Sequence, residues 1–216
     1  MNARIAILAV AAGGTLLAGC KSEGDIVVEQ GVGITVLRSV CPAVGVPQYL
    51  GDVTLFNPAG ARTADAMHVT AAITNVRSQC NESGEEVYSN ATFDVIAQRR
   101  DTNGARTVTL PYFSTVVRGG SSVVAKRVGS ITLNFADGQD RAQASGAAGA
   151  VVNRAEATLP AEVRERITRR RRAGEADAAI DPLNEPDVRA AVARATFELL
   201  IGFQLDEQQL AYNATR

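Results

Sequence analysis

His68 is the only histidine in this 216-residue chain, so proton transfer near neutral pH has one obvious carrier. A hydrolytic triad would need a hydroxyl and a carboxylate beside it. Ser78 or Ser114 could supply the first and Asp65 or Asp94 the second. No Gly-x-Ser-x-Gly elbow surrounds either serine, and His68 reads more simply as a solvent-facing residue at a strand start. Residues 101–104 and 137–140 carry acids at spacings that superficially suggest calcium loops. They lack the alternating oxygen ligands and distal Glu that such loops use, and read instead as hairpin turns. A tetrahedral zinc site would need four good ligands from a chain with three cysteines and one histidine. No phosphate-binding loop, dinucleotide fingerprint or Cys-x-x-Cys pair is present.

The densest charge is the run Arg169, Arg170, Arg171 and Arg172. Residues 153–174 hold seven Arg against three Glu, whereas residues 175–187 hold five acids and no base. Two roles fit. The run could contact anionic head groups or an acidic partner, or the two charge blocks could fold back on each other as a solvated structural pair.

The first 20 residues form a separate unit. Arg4 gives the start its one charged side chain, and residues 5–17 are apolar apart from Gly13, Gly14 and Thr15. Leu17-Ala18-Gly19-Cys20 follows. A charged start, a short apolar core and small residues before a cut site describe an export signal that is too short for a stable membrane span. Its ending resembles the lipobox of bacterial lipoproteins. That resemblance implies that residues 1–19 are removed, that the Cys20 thiol carries a diacylglycerol, and that the new amino terminus is acylated. This covalent lipid is then the only prosthetic group expected. Two or more acyl chains anchor a protein stably where one is marginal. Lys21, standing where Asp often marks inner-membrane retention, implies an outer-membrane lipoprotein facing the periplasm. Lipidation of Cys20 leaves Cys41 and Cys80 as an even pair in an oxidising compartment, which implies a disulfide. It would close a loop of about 40 residues, worth roughly 4 kcal/mol in the chain-entropy account.

The remaining 197 residues hold 21 basic and 23 acidic side chains. That is not the balance of a nucleic-acid binder. No second apolar run is long enough to span a bilayer, so the membrane is engaged through the lipid. With no Trp and few aromatics, the core must be built mainly from Val, Ile, Leu and Ala. Residues 20–25 read as a short tether, and residues 26–216 as one domain.

The elements that position these residues are mostly strands. Residues 32–37 and 52–56 read as strands, the latter stopped by Asn57-Pro58 and Gly60. Residues 69–78 and 87–99 follow as a pair around a turn at 81–84. In the second, Val87, Ala91, Phe93, Val95 and Ala97 share one face. Residues 107–117 contain Pro111, which predicts an edge strand or a bend. Residues 122–135 form a long strand with Ile131, Leu133 and Phe135 on one face. Residues 143–150 are poor in large apolar side chains and read as a loop. Residues 160–173 read as a helix, with Val163 and Ile167 four apart, and 176–186 as an acidic linker. Alternation returns at 197–205, and Asp206 is placed to cap a terminal helix.

The expected fold is therefore mainly β: an immunoglobulin-like antiparallel β-sandwich with a helical insertion near residues 153–190, or about 140–190 if its approach loop is counted. A closed barrel is the alternative. The expected role is a non-catalytic, lipid-anchored binding or accessory subunit of an outer-membrane or envelope complex. The contact surface would be strand edges or the arginine helix, with a membrane and an envelope protein as partners. A carrier of small apolar ligands and, further off, a hydrolase built on His68 are the competing expectations.

Overall fold

The alternation in residues 87–99 is the pattern from which the fold grows. In the computed structural model, which describes residues 39–171, 174, 176 and 180–216, these residues lie in strand β4 (Glu86–Arg99). Val87, Ala91, Phe93, Val95 and Ala97 are all buried, and Tyr88, Asn90, Thr92 and Gln98 face outward. The export signal, Cys20, the tether, the strand expected at 32–37 and Arg172 lie outside the described residues.

On one side β4 pairs antiparallel with β3 (Met67–Asn81), on the other with β7 (Arg141–Asn153). With β2 (Asp52–Phe56) these strands form a sheet of order β2-β3-β4-β7. The second sheet joins β5 (Arg106–Arg118), β6 (Ser122–Phe135), β8 (Phe197–Phe203) and β1 (Ala43–Gly45) in the order β1-β8-β5-β6. All its pairings are antiparallel except β1 with β8, which is parallel. Phe93, Val95, Leu133, Phe135, Leu199, Ile201 and Phe203 meet between the sheets in one core. Each such side chain stabilises the fold by about 1.5–3 kcal/mol. The β-sandwich is thus as expected in architecture, with a mixed sheet where a purely antiparallel one was anticipated.

Three elements differ from the sequence reading. Residues 143–150 are strand, not loop, because β7 is built of small residues by necessity. A Cβ on Gly146 would collide with the Phe93 ring, so this strand makes room for large neighbours instead of contributing them. Pro111 lies in β5, an internal strand with β6 on one side and β8 on the other. Its nitrogen faces the β8 side, where the ladder has already ended at Tyr112–Phe203, while its carbonyl accepts from Gln204 N (2.9 Å). The missing N–H therefore costs no ladder bond. The third difference is the insertion, which begins at 154 and runs to 195.

Within the insertion, α1 (Arg154–Ala157), α2 (Ala161–Thr168) and α3 (Pro186–Ala195) follow one another, with a short 3-10 turn at Pro182–Asn184. Val163, Ile167, Val188 and Ala191 form their own small core. The sequence reading carried α2 to 173, but it stops at Thr168. Beyond Ile167 the apolar stripe has no successor, and a short helix without a buried face does not propagate. After β8, Asp206 caps α4 (Glu207–Thr215) through a reciprocal capping box with Gln209, as the sequence predicts. Asn213 then ties α4 to the sandwich by donating to the carbonyls of Tyr49 and Asp52, each at 2.8 Å.

Candidate functional site

The strand directions define two ends. At one end lie the turn between β4 and β5 and the turn between β6 and β7. Arg99, the last residue of β4, continues the inward phase of that strand and is only 2% exposed. Its Nε donates to Gln139 O (2.7 Å) and its Nη1 to Gly104 O (2.8 Å). Its Nη2 donates to Thr102 O (2.9 Å) and Ala136 O (2.8 Å). The guanidinium also lies 5.3 Å from the Phe135 ring centroid. Neither turn is the hairpin expected from the sequence: each carries the chain from one sheet to the other, and one buried cation holds both.

Asp101 and Asp137 work in the same structure, as turn residues. Asp101 Oδ1 accepts from Asn103 N (3.0 Å) and Nδ2 (2.8 Å), and Asp137 Oδ1 accepts from Gly104 N (2.7 Å). Hydrogen bonds from Asn103 hold the Asp101 carboxyl below its usual range.

His68 belongs to this end too. It occupies a register shift in β3, where Leu55 pairs with Val69 and Phe56 with Met67, and such a bulge re-aims a side chain. The half-buried ring meets the Arg106 guanidinium. Burial first, and then Arg106, lower its pKa below the ordinary 6.5. Asp65 lies in the 3-10 turn at 64–66 just before β3, where Thr63 hydrogen-bonds its carboxyl; the other candidate triad members are elsewhere. Asp94 accepts from Asn75 Nδ2 and Ser145 Oγ, both at 2.7 Å, Ser78 pairs opposite Ala91 far along β3, and Ser114 is on β5 in the other sheet. The structure does not bring these residues together with His68.

The opposite end is different. Here Ala43 pairs with Glu198 and Arg118 with Phe197, so β1 begins beside the turn joining β5 and β6. The disulfide Cys41–Cys80 is formed at this end, with 6.1 Å between the Cα atoms. It links the segment leading into β1 to β3, and so staples one sheet to the other. The arginine run is divided in the fold. Arg169 is the C-cap of α2 and Arg170 is exposed. Arg171 is buried, and its guanidinium donates to Ile180 O (2.8 Å) and Arg166 O (3.5 Å). Nearby, Arg166 pairs with Glu185 and with Asp187 (2.6 Å), so part of the acidic block does answer the basic one.

Beside this end the two sheets part. Every residue of β6 from 122 to 128 is exposed, on both faces, with Val123, Val124 and Val128 at 63%, 57% and 62%. Among the described residues β6 is also the last strand of its sheet, pairing only with β5, and these leave a row of its backbone donors and acceptors open. Behind it lies a cleft of about 490 Å³, lined by Cys80, Ser89 and Ala150 from one sheet and Val116, Ala125 and Arg127 from the other. Ser89 is 3% exposed, and its Oγ has no hydrogen-bond partner among the described residues.

Sequence reasoning placed strand 122–135 correctly and missed its openness. The available signal was the loss of alternation in Val123-Val124-Ala125-Lys126-Arg127-Val128 beside the clean alternation that follows. Arg99 was equally legible, since it falls in the buried phase of β4.

Comparison with protein families, curated proteins and solved structures found no match. Among the described residues, no helix is long and apolar enough to cross a membrane.

Proposed function

We propose that this chain is a lipid-anchored, periplasm-facing binding subunit of an outer-membrane or other envelope complex, acting by contact and not by catalysis. The observation that carries this reading is the half-strand of β6, exposed on both faces and along its edge beside a well-filled core. A carrier of small apolar ligands would need an enclosed apolar cavity, whereas the cleft of about 490 Å³ between the sheets opens beside the bare half of β6 and has Ser89 and Arg127 in its lining. The lipobox resemblance at Cys20 supplies the anchor, and the formed Cys41–Cys80 bond is in keeping with an oxidising compartment.

The anchor is tested by fractionation and mass. The wild-type protein is expected in the membrane fraction, with acyl mass on Cys20, while Cys20→Ala loses both. An unmodified Cys20 in the purified protein would overturn the reading.

A further inference from the structure

Two charged features of β6 limit what can dock on it. The hairpin from Arg106 to Phe135 contains Arg106, Arg118, Lys126 and Arg127 and no Asp or Glu. Arg118 is answered by Glu156 at 3.1 Å, and Arg106 meets His68. Lys126 lies 5.1 Å from the Phe113 ring centroid. The Arg127 side chain makes no ion pair or hydrogen bond among the described residues. Among the described residues, the open half-strand thus presents two cations that no carboxylate answers, together with three exposed valines and an unpaired backbone edge.

These properties separate the candidate occupants. A second copy of the chain, paired antiparallel through the same segment, would crowd Lys126 and Arg127 of both copies around one axis. Like charges meeting across strands are destabilising. A lipid bilayer would suit the valines and cations but not the backbone, because an open sheet edge cannot be satisfied in hydrocarbon. An added strand satisfies all three properties: it completes the ladder, covers the valines and answers the cations.

Resting on the reading of the protein as a binding subunit, we propose that residues 122–128 of β6 receive an extended segment of a partner protein that alternates apolar and acidic residues. The segment docks as a further strand on the sheet edge. Arg127 points to the cleft side of β6 and Lys126 and Val128 to the other, so the acidic face of the segment meets Arg127 and its apolar face lies along Val128 and the Lys126 stem. The cleft behind β6 gives the arriving strand room for one side chain, beside the unpartnered Ser89 hydroxyl. Its lining of Ser89, Ala125 and Ala150 is small enough to admit one.

The test uses the full chain in non-ionic detergent and three labelled decapeptides in which Val alternates with Glu, Gln or Lys. Binding is read by fluorescence anisotropy and by protection of the amides of 122–128 from exchange. The Glu peptide should bind at least tenfold more tightly than the Lys peptide and protect those amides. The variant K126E/R127E, altered only at exposed positions, should lose that preference and favour the Lys peptide. Equal binding of the Glu and Lys peptides, or a preference unchanged in the variant, would overturn the proposal while leaving acylation of Cys20 and the binding-subunit reading untouched. Protection of 122–128 by phosphatidylglycerol added to the micelles, with no effect of the Glu peptide, would assign the surface to lipid and overturn it as well. Protection that grows with protein concentration alone would assign it to a second copy, with the same consequence.

Discussion

At the end of the sandwich where Arg99 lies, two turns that cross between the sheets are pulled onto one guanidinium, and four carbonyls that would otherwise seek water are bound inside the protein. At the end where β1 begins, a cleft lies between the sheets, and among the described residues a buried hydroxyl has no partner and seven residues of β6 are bare on both faces. The same strand runs through both regions: Ile131, Leu133 and Phe135 are core, and Val123, Val124 and Val128 are solvent-exposed. One end is therefore finished as a fold, while the other keeps apolar surface and unpaired backbone that folding alone does not require. A polypeptide able to close one end this thoroughly has the means to close the other. That difference, more than any single residue, marks the open end as the contact surface.

The largest expected effect breaks the closed end. Arg99→Met removes a buried cation and orphans its carbonyl acceptors, and should lower stability by about 3–5 kcal/mol, read as a fall in the urea midpoint. A loss below about 1 kcal/mol would mean that the turns hold themselves and that the closed end owes little to Arg99. Next is the staple at the open end. Replacing Cys41 and Cys80 together by Ser should cost about 2–4 kcal/mol by the same measurement. If the disulfide instead contributed nothing, the open end would be rigid without it, and the contrast between the ends would weaken.

Much of the frame could be read from residue order, and the exceptions have physical causes. β4 and β8 declare themselves because one face of each carries large apolar side chains at every second position. β7 does not, because its task is to be small opposite Phe93, and smallness looks like a loop when strands are recognised by bulk. Pro111 points to an edge strand only if its neighbour extends past it, and β8 stops one residue short. For the candidate site, the cysteine pairing followed from the lipobox resemblance, and the charge blocks around the insertion were visible as composition. The division of the arginine run was not, because burial of Arg171 depends on the carbonyl of Ile180 returning to it from nine residues on. The openness of β6 is legible only as the loss of alternation over 123–128, which marks a half-strand without a buried face but not what lies opposite it.

The central claim is that the two ends differ in use as well as in construction. Photo-crosslinking side chains placed at Val124 and Val128 in native envelopes test it against the same side chains at Thr132 and Asn134, which point outward from the other half of the same strand. The account predicts one discrete protein adduct from 124 and 128 and none from 132 and 134. Adducts from 132 and 134 alone, or none from 124 and 128, would contradict it.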